Sequence, residues 1–337
     1  MQVKDLGEFG VIELLNRMVI SQRTGPDNGA AFSFGLLVDS GDDTAVWETG
    51  TGKARELFTT DTVVEGVHFT RETTPWRDLG WKSIASNVSD VAAMGGLPTY
   101  ALITLGLPPE TEVNSLEELY TGMLELGNRF GVAFVGGDMV RSPVVFITVS
   151  LAGIMKDAPM LRTNARPGDL VAVTRDVGSS GAGLKLMQEF PVETGDTADY
   201  LRNCHRRPVP EVAAGQLLVE SGITTAMDVS DGLFDDLSKL TRASGVSARI
   251  RADQLPVHQH VRQRFPDDWL ELALTGGEDY VLLFTGPKAG VDSTLTSLGE
   301  GAAVIGEIED GEPGHIAVTT ASGEEISLEA HGWDHFL

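Results

Sequence analysis

Acidic residues recur in this chain beside glycines and at the ends of apolar runs. "SGDDTAV" carries Asp42 and Asp43, "TTDTVVEGVHF" carries Asp61 behind the hydroxyls of Thr59 and Thr60, and "NVSD" carries Asp90. "VGGDMVR" places Asp138 after two glycines, "MDVSDGLFDDL" holds Asp228, Asp231, Asp235 and Asp236, and "TGGEDY" holds Glu278 and Asp279. A carboxylate inside an apolar strand, as at Asp61, is costly to bury unless it is paired or bound to a cation. Any one of these residues alone reads as an ordinary cap or turn aspartate. Six such stretches spread over both halves of the chain read instead as a cation site. Oxygen ligands without cysteine or paired histidine point to Mg²⁺, Mn²⁺ or Ca²⁺ rather than zinc.

Other chemistries fail on spacing. From Asp228 the EF-hand register gives Asp, Ser and Gly, then Leu233 where glycine is required. Gly52-Lys53 is followed by Ala54 and lacks the upstream glycine of a Walker loop, and no G-x-S-x-G elbow occurs. His258 and His260 read as surface residues and Cys204 as a packed or half-buried thiol. A phosphate-handling site in such a chain has to work through metals and glycine-turn amides.

Composition narrows the class further. With 49 Asp and Glu against 25 Lys and Arg, and a net charge of -24, no basic surface is available for nucleic acid. Such an excess of acid, taken as a whole, is ordinary for a solvated or salt-adapted surface. At 337 residues two domains are expected. No apolar run reaches the ~18 residues that span a bilayer, and no signal-peptide plan opens the chain, so a cytoplasmic location is expected.

The elements that must carry these residues alternate in type. A helix is expected over 6–19, a strand over "ELFTTDTVV", and a helix over "DLGWKSIASNVSDVAAMGG" that Gly95-Gly96 ends. Ile84, Val88 and Val91 form its buried stripe, and Ser83, Asn87 and Asp90 repeat that spacing as a polar edge. "ALITLGLP" is a strand, and Ser115-x-x-Glu118 reads as a capping box opening the helix of Leu119, Met123 and Leu126. "VAFVGGD" and "VVFITVSLAGI" are expected as strands joined by a glycine turn. "KDAPMLRTNARPGD" marks the boundary between domains over 1–154 and 155–337. Beyond it come strand "LVAVT", a glycine-serine turn, two helices, a strand, the acidic helix after Asp228, and strands "YVLLFT" and "AAVIGEI".

Taken in order, "GDDTAV", "TTDTVVEGVHF", "GWKSIASNVSDVAAMGGLP", "VGGDMVRSP", "LRTNARPGDLVAVT", "MDVSDGLFDDL", "LTGGEDYVLLFT", "IGEI" and "GWDHF" resemble the thiamine-monophosphate kinase family. The family belongs to the aminoimidazole ribonucleotide synthetase-like ATP-binding superfamily, and the likeness runs from about residue 5 to the C-terminus. The resemblance implies a two-domain α/β fold whose N-terminal strands form a barrel across a dimer axis, hence a homodimer. It implies direct transfer of the ATP γ-phosphate to thiamine monophosphate, with several Mg²⁺ ions and K⁺ as a further candidate ion. It aligns Asp43, Thr59, Thr60, Asp61, Asp90, Asp138, Asp228 and Asp231 with metal ligands. Tyr120, Gly137, Asp138, Arg162 and Ser230 align with nucleotide contacts, and His68, Glu278 and Trp333 with substrate contacts. No residue aligns with a catalytic acid or base. "TRDVGSSGAG" lacks the glycine the family carries after the threonine, and the 24–40 stretch is longer and less regular than the family's. Aminoimidazole ribonucleotide synthetase is the nearest rival, and a non-catalytic nucleotide sensor a more distant one. Selenophosphate synthetase and the hydrogenase-maturation member both need a cysteine where this chain has none.

Overall fold

The computed structural model describes residues 10, 36–38, 42–48 and 55–326. Apart from Gly10, which is helical, the expected helix over 6–19 lies outside the described residues, as do most of the 24–40 stretch and Trp333.

The first half is a six-stranded mixed sheet. Its strands are β1 (Leu36–Val38), β2 (Ala45–Glu48), β3 (Arg55–Val64), β4 (Leu97–Leu107), β5 (Ala133–Arg141) and β6 (Phe146–Met155), in the order β1-β2-β3-β6-β4-β5. Only β4 and β5 run parallel, because α2 (Val113–Phe130) crosses between them. Strand alternation sets the two faces. Leu57, Ala101, Ile103, Leu105, Ile147, Val149 and Leu151 are buried toward α1 (Trp76–Ala93) and α2. The other face bears Phe58, Tyr100, Leu102 and Ile154 and is uncovered, with Tyr100 57% and Leu102 46% exposed. Among the described residues the sheet does not close on itself; β1 and β5 are its edges.

The second half is another six-stranded mixed sheet, in the order β12-β9-β11-β7-β10-β8. It comprises β7 (Leu170–Val173), β8 (Thr225–Asp228), β9 (Ser247–Arg251), β10 (Leu282–Gly286), β11 (Ala303–Glu309) and β12 (Ile316–Thr319). Between β7 and β8 stand three helices rather than the two expected: α3 (Ser179–Glu189), α4 (Asp196–Arg206) and α5 (Val212–Glu220). The acidic helix is α6 (Leu233–Ser244); α7 (Gln259–Arg264), α8 (Trp269–Thr275) and α9 (Lys288–Leu298) follow. One apolar core is shared by the halves, from Val63, Ile84 and Val88 to Ala172, Leu218 and Phe284.

The structure corrects three sequence expectations. Helix α2 begins at Val113 with no side-chain cap, so Ser115 lies inside its first turn and bonds through its backbone N–H to Glu112 O at 3.0 Å; no capping box forms. The glycines of "VGGD" belong to β5 rather than to a turn, and "SPVV" makes the connection to β6. His258 and His260 are half-buried, with the His258 ring stacked on Tyr200 at 4.2 Å.

Helix α1 is the center of the molecule. Its apolar stripe is buried as expected, but so are Lys82, Ser83, Ser86, Asn87 and Ser89. Gly95 leaves the helix at φ 78, as the sequence predicts. Two glycines let α1 and α2 meet backbone to backbone. A Cβ on Gly80 would stand 1.9 Å from Leu119 O, and one on Gly122 would stand 1.8 Å from Arg77 O. Gly122→Val should therefore lower stability by about 1–3 kcal/mol or more through overpacking. Val192→Ala, at a position 89% exposed, should stay within about 0.5 kcal/mol of the parent. Urea denaturation of both variants checks this.

Candidate active site

The period of β3 turns Thr59 and Asp61 toward α1, and α1 answers with Ser86, Asn87 and Asp90. Thr59 Oγ1 donates to Asp90 Oδ2 at 2.6 Å. The Asp61 N–H donates to Asn87 Oδ1 at 3.1 Å, while Asn87 Nδ2 is fixed by Ser83 O at 3.2 Å and Ser86 Oγ at 3.3 Å. Ser86 also stands close enough to Asp61 to favour the charged form of its carboxylate. From the second half, β8 ends on Asp228, whose Oδ2 accepts from Ser89 Oγ at 2.6 Å. Asp43, just before β2, completes the group: one carboxylate oxygen from each of Asp43, Asp90 and Asp228 lies within 4.8 Å of the others. Arg162 is held by ion pairs to Asp43 and, at 3.6 Å, Asp42, and its backbone N–H donates to Asp42 Oδ2.

This crowding sets the electrostatics. Burial, then the charges of Asp61, Asp228 and Asp43, push the Asp90 carboxyl well above its ordinary range. Burial, then Asp43, does the same to Asp228. Burial raises Asp61, and burial followed by Asp43 raises Asp42 to about 6. Asp43 Oδ2 is buried without a hydrogen-bond partner. Three converging carboxylates and an orphaned oxygen lone pair suit a hard divalent cation.

The acidic stretch after Asp228 divides into separate roles. Asp236 Oδ2 accepts from the backbone N–H groups of Ser230 at 2.9 Å and Asp231 at 3.0 Å, and burial raises its carboxyl to about 7. Lys239 pairs with Asp231, with Asp235 at 2.7 Å and with Asp236 at 3.0 Å. Asp231 thus meets a protein cation here and is not one of the three clustered carboxylates. A second glycine turn is closed in the same way, because Asp279 accepts from the N–H groups of Gly178 at 2.5 Å and Ser180 at 2.9 Å. Two amides of each turn are thus taken by carboxylates, Gly178 and Ser180 in one and Ser230 and Asp231 in the other.

The remaining sequence candidates lie apart or on other faces. Thr60 Oγ1 donates to Val149 O at 2.9 Å and lies 3.3 Å from Ser150 Oγ, so its hydroxyl is on the sheet face away from α1. Asp138 pairs in register with Thr104 on that same face, its Oδ1 accepting from the Met139 N–H, and Gly137 precedes it on the β5 edge. Tyr120 is exposed on α2, and half-buried His68 accepts from the Val64 N–H at 3.1 Å. Glu278 sits in left-handed backbone at φ 65 and bonds through its N–H to Ser230 O at 2.8 Å, next to the Asp228 stretch. Sequence reasoning passed over Ser86, Ser89, Lys82 and Lys239. The available signal was small polar residues recurring every third position ahead of Asp90.

Comparison with known proteins agrees with this architecture. Residues 41–155 match the N-terminal domain of AIR synthase related protein, and residues 166–318 match the C-terminal domain of the same family. Thiamine-monophosphate kinase of Aquifex aeolicus is 36% identical over 100% of both chains, and that of Bacillus subtilis is 35% identical over 89% of this chain and 93% of its own. A solved structure described as AaThiL complexed with AMPPCP and TMP superposes with a TM-score of 0.85 at 34% identity, covering 99% of each chain. Fold and site thus define an AIR synthase-related protein. Within that class, the chain belongs to the thiamine-monophosphate kinase family.

A cation effect on stability follows with a definite sign. Carboxyls whose folded pKa lies above the ordinary 3.8 bind protons more tightly in the native state than in the unfolded one. Their stabilising contribution is complete below 3.8 and is lost as pH rises through the raised folded values. Mg²⁺ competes with protons for these raised carboxyls, so it should raise Tm more at about pH 8 than at about pH 5. Thermal unfolding of chelator-treated protein with and without Mg²⁺ measures both gains; equal gains would refute the cluster as the cation site.

Proposed function

We propose that this protein is an ATP-dependent kinase with a phosphate group as acceptor, passing the ATP γ-phosphate directly to thiamine monophosphate and releasing thiamine diphosphate and ADP. The observation carrying this reading is the Asp43, Asp90 and Asp228 cluster. It stands on a fold shared at a TM-score of 0.85 with a relative whose structure holds AMPPCP and TMP. Donor and acceptor are both anionic: a pair of unit charges 4 Å apart repels by about 4 kcal/mol at an effective dielectric of 20. Bound Mg²⁺ supplies the neutralisation that lets two phosphates approach and spreads the charge of the transferring group.

The chain's own residues prepare that event. Asp43, Asp90 and Asp228 would hold the ions, with Asp61 beside them. Thr59 and Ser89 fix the Asp90 and Asp228 carboxylates by donated hydrogen bonds, as supporting partners do around metal sites. Arg162 stands at the cluster edge, where its guanidinium can move from Asp43 to a nucleotide phosphate. An acceptor phosphate oxygen is already ionised at neutral pH, so no strong base is required. We assign 1–154 as the ATP- and metal-binding domain and 155–337 as the domain completing the cleft. Asp138, Gly137 and Tyr120 would reach nucleotide from the β5 and α2 side. Trp333 lies outside the described residues. Among those residues no helix is long and apolar enough to cross a membrane.

The uncovered sheet face, with Phe58, Tyr100, Leu102 and Ile154, is the surface through which two copies would pair into a barrel. Light scattering should give a dimer, and Leu102→Glu should shift it toward monomer. For activity, ATP, Mg²⁺ and thiamine monophosphate should yield thiamine diphosphate with matching ADP, with K⁺ tested as an added ion. Asp61→Asn should lose more than the about 10–100-fold that removing a supporting partner costs, with an unchanged circular-dichroism spectrum. Wild-type turnover by that variant would overturn the metal assignment.

A further inference from the structure

Lys82 is among the largest fully buried side chains, at 2% exposure, in the middle of α1. An ammonium in that position is tolerated only if paired and hydrogen-bonded. Its Nζ donates to Glu278 Oε2 at 2.6 Å and lies 3.1 Å from His205 Nε2. Burial, then the Lys82 charge, push the His205 pKa down to about 4, so the ring is neutral near neutrality. Lys82 can only donate, so Nε2 is the accepting nitrogen and Nδ1 carries the proton. Ser180 Oγ stands 3.1 Å from Nδ1. The chain Ser180, His205, Lys82, Glu278 therefore runs from α3 and α4 through α1 into the loop before β10.

Glu278 is the open end of this chain. Its side chain is 25% exposed, whereas Lys82 and His205 are buried. Its contacts with Lys82 and His205 both pass through Oε2, the second at 3.6 Å, and Oε1 is not used in either. The loop is held in an unusual shape, with Glu278 at φ 65 and Tyr280 at φ 49, by N–H bonds to Ser230 O at 2.8 Å and Val229 O at 2.9 Å. Such strain in residues other than glycine persists where the surroundings over-determine it, commonly at ligand sites. Lys82 and Asp90 lie eight residues apart on one rigid helix, about 12 Å along its axis at the α-helical rise. One helix therefore spaces the carboxylate cluster from the Glu278 holder over a distance comparable to a two-ring molecule with a phosphate at one end.

We infer that Lys82 is a positioning residue for the acceptor, clamping Glu278 Oε2 from behind, with His205 and Ser180 as its support, so that Oε1 receives the cationic ring end of thiamine monophosphate. This rests on the kinase reading above. The wild-type product assay tests that reading separately: no thiamine diphosphate from the wild type would sink the reading, whatever the variants do. Given wild-type activity, Lys82→Met should raise the KM for thiamine monophosphate tenfold or more and leave the KM for ATP within twofold. Glu278→Gln should match it, and the double variant should be no worse than Glu278→Gln alone. Equal losses for both substrates, no change for thiamine monophosphate, or additive losses in the double variant would overturn the inference. Should Lys82→Met not fold, Lys82→Met/Glu278→Gln strands no buried charge and is compared with Glu278→Gln. Equal thiamine monophosphate KM values then support the inference, and a further tenfold rise overturns it.

Discussion

Mutual repulsion among buried carboxylates governs the design of this molecule. Oxygens of Asp43, Asp90 and Asp228 gather within 4.8 Å, where each pair of full charges repels by about 3.5 kcal/mol or more at an effective dielectric of 20. The hydrogen bonds from Thr59 and Ser89 each contribute about 1.5–3 kcal/mol at charged acceptors, which orients the group without neutralising it. Arg162 supplies one positive charge, and it does so at the Asp42 and Asp43 edge. The remaining deficit is what a cation-bound phosphate can fill. A site left short of positive charge by its own protein is well suited to substrates that arrive with metal ions.

Aspartates that look alike in the sequence have three different fates. Asp236 and Asp279 are backbone caps that close glycine turns, Asp231 and Asp235 are countered by Lys239, and only Asp228 of the acidic stretch enters the cluster. The division is physical. A carboxylate that accepts two N–H groups stiffens the loop that carries its neighbors, and Lys239 offsets part of the repulsion along α6. The amides so taken are not available to a ligand, which leaves more of any phosphate handling to cations and to Arg162.

What could be read from the sequence followed from periodicity. Strand β3 and helix α1 were legible because alternation and the 3.6-residue period are local, and the helix period already put Asp90 on a polar edge. Lys82 was not legible. A lysine in a mixed helix reads as solvated, and only the later packing of α4 and of the loop at Glu278 buries it. Ser115 misled because an S-x-x-E pattern fits equally well one turn inside a helix, and the chain starts α2 earlier, at Val113. The strands β9 and β12 were not read from the sequence, whereas the equally short β7 and β8 were. Asp231 and Asp236 could not be told apart, since which one faces the loop amides depends on where α6 begins.

The cluster also explains why α1 is gripped so closely. Repulsion among its carboxylates would be relieved if β8 and β2 moved away from the helix, so positioning requires backbone contacts that do not yield. Gly80 and Gly122 bring α1 against α2, and on another side a Cβ at Gly215 of α5 would stand 2.2 Å from Ala92 O. These contacts fall along the length of α1 and join it to elements from both halves of the chain. A helix gripped in this way holds Asp90 and Lys82 on one element braced from both halves of the chain. Transfer between two phosphates needs alignment and charge neutralisation rather than a proton acceptor, and a braced helix serves that alignment.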